Sequence, residues 1–149
     1  MTNDGAVIEL KAKHVRSSPV LTVSSTTSVG DVLELMAQHS VSGLPVIDDD
    51  QNLVGMVSEF DLLMLLLTAD DSNGDLPVSD VMSTDVVTVD ENASIPTTVR
   101  SFRDARVGRL PVVRDGKLIG IVSRRDLIPV LRDLLRDPGV KQEEELVGV

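Results

Sequence analysis

Two segments of this sequence carry side chains that could bind a ligand. Residues 55–61 and 120–126 both read Gly-x-Val-Ser-x-x-Asp. A serine at a helix start with an acidic residue three positions later is typical of a capping box, here with Asp in place of Glu. The same groups suit a nucleotide, since a helix N-terminus offers free N–H groups to phosphate and a carboxylate accepts ribose hydroxyls. One copy alone favours the cap, but the duplication favours ligand binding for at least one copy.

Composition excludes several other kinds of chemistry. The 149 residues include no Cys, so thiol nucleophiles, disulfides and thiolate metal sites are excluded. The two histidines, His14 and His39, are far apart, and we expect surface or helix-end positions and no metal. The acidic run 48–50 is interpreted as a solvated turn. No nucleophile elbow or Walker loop occurs, so no enzymatic activity is expected.

Charge and hydropathy limit the partners. The formal net charge is −10 and the only aromatic residues are two Phe, which argues against nucleic acid. No apolar stretch is long enough to span a membrane. We therefore expect a cytoplasmic protein with no nucleic-acid or membrane partner.

An internal repeat sets the architecture. Residues 15–46 align with residues 81–112, and residues 53–62 align with residues 118–127 after a turn that is one residue longer in the first copy. Several separate segments that align at nearly the same offset cannot match by accident. We therefore expect two similar units that pair with each other.

Each copy reads as strand-helix-strand-strand-helix, which predicts an α/β (α+β) fold. Ser28 and Ser94 are the expected N-caps of the first helices. β-branched runs and turn residues predict strands over residues 20–23, 44–47 and 53–57 in the first copy and 86–89, 110–113 and 119–122 in the second. Helical spacing predicts the apolar faces Val29, Val32, Leu33 and Met36 in the first copy, and Ile95, Val99 and Phe102 in the second.

Domain boundaries follow from the repeat. We assign residues 1–69 to repeat 1 with its N-terminal segment and residues 77–137 to repeat 2. Residues 70–76 are a polar linker, and residues 138–149 form an acidic tail.

The ordered motifs resemble the cystathionine-β-synthase (CBS) domain. They are the Leu-Pro-Val hairpins at 44–46 and 110–112, each followed by Gly-x-Val-Ser-x-x-Asp-Leu. Two copies resemble a CBS pair, or Bateman module, of the stand-alone kind. The resemblance implies a pseudo-twofold pair of repeats with two clefts that hold AMP, ADP, ATP, S-adenosylmethionine or NAD-type ligands, and frequent dimerisation.

The resemblance also implies which residues line each cleft, because each cleft combines one repeat's Ser-x-x-Asp with the first strand of the other. The stronger site would contain Met56, Ser58, Asp61, Ser83, Val86, Val87, Arg109 and Arg125. The weaker site would contain Ser17, Val20, Leu21, Gly43, Ile121, Ser123 and Asp126.

The ranking of the two sites rests on two arginines. Arg109 and Arg125 would meet a phosphate in the stronger site, whereas Gly43 and Phe60 occupy the corresponding places in the weaker one. The alternative is that both arginines are solvated surface charges.

An apolar run at residues 62–67 has six members, so a helix there is apolar on all sides. It is either an intrachain core or, as the resemblance favours, a dimer interface. Its counterpart, 127–135, is amphipathic, and Pro129 should kink that helix or delay its start.

Together these features predict a regulatory nucleotide-sensing module that signals to an unidentified protein partner. The alternative is a ligand-free scaffold that only dimerises.

Overall fold

The computed structural model describes residues 10–18, 20–68 and 73–136 of the chain. The predicted tail and residues 70–72 of the predicted linker lie outside the described residues, whereas residues 73–75 form one turn of 3-10 helix. The described residues fall into two compact units. The first-repeat unit contains 20–68, 73–86 and 115–118, and the second-repeat unit contains 10–18, 87–114 and 119–136.

The helices and strands follow the predicted order in both repeats. They are α1 (Ala12–Val15), β1 (Val23–Ser24), α2 (Val29–His39), β2 (Gly43–Ile47), β3 (Leu53–Ser58), α3 (Glu59–Leu63), β4 (Val89–Asp90), α4 (Ile95–Ala105), β5 (Arg109–Arg114), β6 (Lys117–Ser123) and α5 (Ile128–Arg136). The described residues also form four short 3-10 helices, at Met64–Leu67, Asn73–Asp75, Val78–Asp80 and Arg124–Leu127. The predicted α+β class and its β-α-β-β-α repeats are confirmed.

Each repeat contributes one three-stranded sheet, ordered β1-β2-β3 and β4-β5-β6. β1 runs parallel to β2, β2 runs antiparallel to β3, and β4 runs parallel to β5. The predicted hairpins are confirmed within one or two residues at each end. The predicted first strands, 20–23 and 86–89, are wrong in extent because only the last residue of each prediction, Val23 or Val89, has a partner on the next strand.

Separate apolar cores lie in the two units. In the first-repeat unit the buried residues are Val23, Val29, Val32, Met36, Leu44, Val46, Val57, Leu62 and Val78. In the second-repeat unit they are Ala12, Val89, Phe102, Leu110, Val112 and Val122. Val and Leu from the β2-β3 and β5-β6 hairpins therefore supply the centre of each core.

The long helices begin at the predicted serines. The Oγ of Ser28 accepts a hydrogen bond from the Asp31 N–H at 3.1 Å, and the Oγ of Ser94 accepts one from the Thr97 N–H at 3.1 Å. The predicted apolar faces are confirmed except for Leu33 and Val99, which are about half exposed. These two lie at the edge of their helix face rather than at its centre.

The last helix of each repeat departs from a simple α-helix. α3 ends at Leu63 and continues as the 3-10 helix Met64–Leu67. In the second repeat, a 3-10 turn at Arg124–Leu127 precedes α5, so that Pro129 falls in the first turn of α5. The predicted delay at Pro129 is confirmed, since proline is tolerated in a first turn but not in a helix interior.

The short N-terminal helix α1, which the sequence did not predict, belongs to the second-repeat unit. Ala12 is fully buried, and its N–H donates to the Ala93 carbonyl at 2.9 Å. The Lys13 N–H donates to the Glu91 carbonyl at 3.0 Å. Residues 12 and 13 are therefore held by the loop that follows β4.

Glycine at position 55 allows two segments of the first-repeat unit to pass closely. A Cβ built on Gly55 would lie 2.5 Å from the Met82 sulfur and 3.0 Å from the Ser83 carbonyl oxygen. Gly120 has the equivalent role in the second-repeat unit, where its Cβ would lie 2.9 Å from the Ser17 carbonyl oxygen. The glycine of each Gly-x-Val-Ser motif is thus required by packing.

We predict that Gly55→Ala lowers the free energy of unfolding by about 1–3 kcal/mol, because the new methyl group overpacks against backbone. Urea denaturation measures this change. Gly74→Ala is the control, since a Cβ there meets no atom within 4 Å, and we expect no loss. Equal effects at both positions would contradict the packing argument.

The side chain of Glu91 forms a bidentate ion pair with Arg114. Arg114 Nε lies 2.6 Å from one Glu91 carboxylate oxygen, and Arg114 Nη2 lies 3.0 Å from the other. The Glu91 side chain is only 13% exposed. The hydrogen bonds from Arg114 lower the pKa of Glu91 below its ordinary value of 4.5, assisted by the charges of Lys13 and Arg16.

We predict that Glu91→Gln lowers the thermal midpoint by a few degrees at pH 7. A carboxyl group with a lowered pKa in the folded state contributes stability above its unfolded pKa and loses that contribution as the pH falls through the folded value. The difference from the unmodified protein should therefore begin to narrow as the pH falls below about 4.5 and should vanish below the lowered pKa of Glu91. Calorimetry from pH 3 to pH 8 checks this, with the exposed Glu34→Gln as control; a difference as large at pH 3 as at pH 8 would contradict it.

Candidate functional site

Ser58 and Asp61 form a reciprocal cap at the start of α3. The Ser58 N–H donates to Asp61 Oδ2 at 2.9 Å, and the Asp61 N–H donates to Ser58 Oγ at 3.1 Å. Both bonds are partly buried. The capping interpretation of the sequence is therefore confirmed for this copy.

The second copy uses the same pair of residue types. The Ser123 N–H donates to Asp126 Oδ2 at 2.8 Å, at the start of the 3-10 turn Arg124–Leu127. In both copies, the hydrogen bonds of the carboxylate with described residues use Oδ2. The second oxygen, Oδ1, keeps its capacity to accept hydrogen bonds from a ligand.

Backbone hydrogen bonds hold a distant segment beside each Gly-x-Val-Ser motif. In the first-repeat unit, Met56 and Ser83 exchange two backbone hydrogen bonds of 2.9 and 2.8 Å. In the second-repeat unit, Ser17 and Ile121 exchange two of 2.8 and 3.2 Å. Ser83 therefore lies next to the Gly-x-Val-Ser motif of the predicted stronger site, and Ser17 lies next to that of the predicted weaker site.

The residues predicted for the stronger site divide between the two compact units. The first-repeat unit contains Met56, Ser58, Asp61, Ser83 and Val86. The second-repeat unit contains Val87, Arg109 and Arg125. Within the first-repeat unit, Ser58 and Asp61 cap α3 at the end of β3, and Ser83 pairs with Met56 on that strand.

The residues predicted for the weaker site divide in the same way. Ser17, Ile121, Ser123 and Asp126 lie in the second-repeat unit, and Val20, Leu21 and Gly43 lie in the first-repeat unit. Gly43 pairs directly with Ser58 across the β2-β3 ladder. A Cβ at Gly43 would lie 3.2 Å from the Val57 carbonyl oxygen, so the backbone beside Ser58 is closely packed.

Arg109 and Arg125 carry positive charge at the protein surface. Both side chains are exposed, and neither forms an ion pair with a described residue. An anionic ligand would therefore not have to displace an internal carboxylate from either guanidinium.

Two backbone carbonyls help to position the capped turns, and no sequence pattern indicates them. The Glu59 N–H donates to the Ser42 carbonyl at 2.9 Å. The Arg124 N–H donates to the Gly108 carbonyl at 3.2 Å. In each repeat, the residue before the second strand therefore holds the residue that follows the capping serine. Main-chain hydrogen bonds of this kind form whatever the side chain is.

The acidic turn after β2 is held together by its own hydrogen bonds. The Asp48 carboxylate accepts bonds of 2.9 Å from the N–H groups of Asp50 and Asn52 and a bond of 3.1 Å from the Asn52 amide. The bonds from Asn52 are the main reason that the pKa of Asp48 is lowered. The prediction of a turn at this run is confirmed.

No group of three or more metal-ligating side chains occurs among the described residues. His14 lies in α1 and His39 ends α2, and both are exposed as predicted. None of the described helices has the length and hydropathy that crossing a membrane requires.

Comparison with known proteins identifies both repeats. The family model of the CBS domain matches residues 12–68 and 78–133. The CBS domain-containing protein YhcV of Bacillus subtilis is 35% identical over 115 residues, which are 77% of this chain and 81% of YhcV. Uncharacterized protein MJ1404 of Methanocaldococcus jannaschii is 32% identical over 95% of this chain, and this chain spans only 36% of its length.

A solved structure is similar over most of the chain. The crystal structure of CBSX2 in complex with AMP has a TM-score of 0.74 and 34% identity, and the match covers 85% of this chain and 98% of that chain. CBSX2 is a chloroplastic CBS domain-containing protein of Arabidopsis thaliana.

We predict that Ser58→Ala lowers the free energy of unfolding by about 1 kcal/mol, because the Asp61 N–H loses its side-chain acceptor. Urea denaturation measures the change. The control is Ser42→Ala, since the exposed Ser42 contributes its carbonyl rather than its hydroxyl to the turn. Unchanged stability of Ser58→Ala would contradict the capping role.

Proposed function

The chain belongs to the CBS-domain family, and on that premise we propose that it is a regulatory module that binds an adenine nucleotide. The ligand class is AMP, ADP or ATP, with S-adenosylmethionine or an NAD-type ligand as further adenosyl candidates. The module itself catalyses no reaction. It acts in the cytoplasm by signalling the occupancy of its site to a protein partner.

The single observation that carries this proposal is the AMP complex of CBSX2, a protein 34% identical to this chain. The Ser-x-x-Asp geometry supports the same ligand class. Asp61 keeps Oδ1 as an acceptor while Oδ2 caps α3, so its carboxylate can accept a ribose hydroxyl without loss of the cap. A charge-assisted bond of this kind contributes about 1.5–3 kcal/mol.

We propose that the stronger nucleotide site is the one that contains Asp61. Its residues are Met56, Ser58, Asp61, Ser83, Val86, Val87, Arg109 and Arg125. Arg109 and Arg125 would provide the phosphate with two guanidinium groups, each able to donate two parallel hydrogen bonds. The site with Asp126 would lack this pair, because Gly43 and Phe60 stand at the corresponding positions of the repeat.

Signalling requires two states of the module that differ in nucleotide affinity. We propose that the protein is a homodimer and that nucleotide binding shifts the population of its states. The regulated partner recognises one of them.

A ligand-free dimerisation scaffold is the second candidate. One observation favours it, since the two caps account for both serine-aspartate pairs without any ligand. A titration distinguishes the candidates because a cap alone gives no affinity for nucleotide.

We predict that isothermal titration with AMP yields a binding event that Asp61→Ala weakens roughly 10- to 100-fold, from the loss of one charge-assisted hydrogen bond. Asp126→Ala is the matched control, since it removes an equivalent cap, and it should leave this event unchanged. The reverse pattern would contradict the ranking of the two sites.

The same titration is repeated with ADP, ATP, S-adenosylmethionine and NADH at millimolar concentration. Binding of any of these supports the regulatory module. The absence of heat and of thermal stabilisation with all five ligands would contradict it and support the scaffold.

A further inference from the structure

An apolar groove lies on the first-repeat unit, between α2 and the segment that follows β3. Its volume is about 500 Å³. Of the six apolar residues at 62–67, only Leu62 is buried, so an intrachain core does not account for this run. Leu63 and Leu66 line the groove and are 55% and 75% exposed. α2 contributes Leu33, Met36 and Ala37 to the same lining.

Acidic side chains border the apolar groove. Glu59 belongs to its lining and is the single charged residue there. Glu34 lies one position after Leu33 and three before Ala37, so it flanks the lining face of α2. Asp75 directly follows a glycine that also lines the groove. These three carboxylates, the acidic rim, are exposed, and none forms an ion pair with a described residue.

The sequence around the acidic rim carries no compensating positive charge. Residues 20–86 contain 12 of the 24 acidic residues and none of the 14 Lys and Arg. Lys117 belongs to the same unit, but its Nζ donates to the Asp50 carbonyl at 2.7 Å, at the turn of the β2-β3 hairpin. The groove therefore lies in a region of negative potential, which attracts a positively charged partner.

The acidic rim is specific to the first repeat. Positions 34 and 59 correspond to Arg100 and Arg124 in the second copy. The two repeats therefore present opposite charges at equivalent places of one fold. A partner that recognises the charge distinguishes the first repeat from the second.

An apolar groove with an acidic rim suits one class of partner in particular. An amphipathic helix binds by placing apolar side chains at helical spacing into such a groove. Lys and Arg at the edges of the helix complement an acidic rim, whereas Asp and Glu are repelled by it. Contact between the same faces of two copies would bring two acidic rims together, which like charges oppose.

We propose that the apolar groove binds a basic amphipathic helix of the regulated protein. This inference rests on the protein partner of the proposed function and specifies its chemistry. Apolar side chains of the helix enter the groove, and its Lys or Arg side chains pair with Glu34, Glu59 and Asp75. α3 begins at the cap formed by Ser58 and Asp61, so the proposed nucleotide site and the proposed partner site share this helix.

Fluorescence anisotropy on the full chain tests the groove. The probe is a labelled model helix of about 18 residues, with Leu at helical spacing on one face and Lys elsewhere. We expect this probe to bind, and we expect no binding of the same sequence with Glu in place of Lys. Leu63→Gln with Leu66→Gln should weaken binding at least about 10-fold, because it makes two positions of the groove polar. The matched control is Ile128→Gln with Leu131→Gln, at the corresponding exposed positions of the second repeat, which should leave the affinity unchanged.

A second pair of variants tests the acidic rim. Glu34→Gln with Glu59→Gln should weaken binding of the basic probe roughly 3- to 10-fold at low salt. The matched control, Asp49→Asn with Asp50→Asn, removes the same net charge at the exposed hairpin turn and should have a smaller effect. Equal losses from the two pairs would mean attraction by net charge alone and would overturn the proposal. Circular dichroism and thermal unfolding establish that each variant is folded.

Three further results would overturn the proposal. They are equal binding of the acidic probe, an unchanged affinity of the Leu63 and Leu66 variant, and no binding of the basic probe. Sedimentation velocity without probe tests a second copy as the occupant. A dimer that the Leu63 and Leu66 variant dissociates would assign the groove to a second copy and would also overturn the proposal.

AMP titration of the same samples reports the nucleotide site separately. Binding of AMP without binding of the basic probe would contradict the partner site alone. Binding of the probe without binding of AMP would contradict the proposed nucleotide site and support the partner site. Failure of the two proposals is therefore distinguishable.

Discussion

Two pairs of backbone hydrogen bonds determine where the candidate binding residues lie. Met56 pairs with Ser83 in one unit, and Ile121 pairs with Ser17 in the other. These bonds bring a segment from outside the hairpin to the strand that ends in the Ser-x-x-Asp cap. The close approach needs a residue without a side chain at the crossing, which explains the glycine in both motifs. Packing, capping and the proposed nucleotide site thus depend on one backbone arrangement that occurs twice.

The cap gives the serine and the aspartate a role in stability that is compatible with a role in binding. The Asp61 carboxylate satisfies the Ser58 N–H through one oxygen, so the side chain is already oriented before any ligand arrives. Pre-oriented groups lose little conformational freedom on binding, which favours affinity. α3 also connects the cap to the 3-10 helix Met64–Leu67, whose Leu66 and Leu67 are exposed.

Most of the fold was predictable from the sequence because each apolar, capping and turn pattern occurs in both copies of the repeat. Ser28 and Ser94 cap helices as expected, and the hairpins begin and end close to the predicted residues. The first strands were too long in the prediction because β-branched residues also occupy extended segments that lack a sheet partner. Helix α1 was missed since four residues carry no usable period. The exposure of Leu66 and Leu67 was not predictable, because a continuous apolar run does not indicate which of its side chains a core covers.

Hydrogen–deuterium exchange with and without AMP distinguishes the two sites, because it shows where on the chain the nucleotide binds as well as whether it binds. If Asp61 belongs to the stronger site, AMP should slow exchange in peptides that cover residues 56–62 and 83–87 more than in a peptide that covers 121–127. Slowed exchange confined to residues 121–127, or no change in any of these peptides at saturating AMP, would contradict the account.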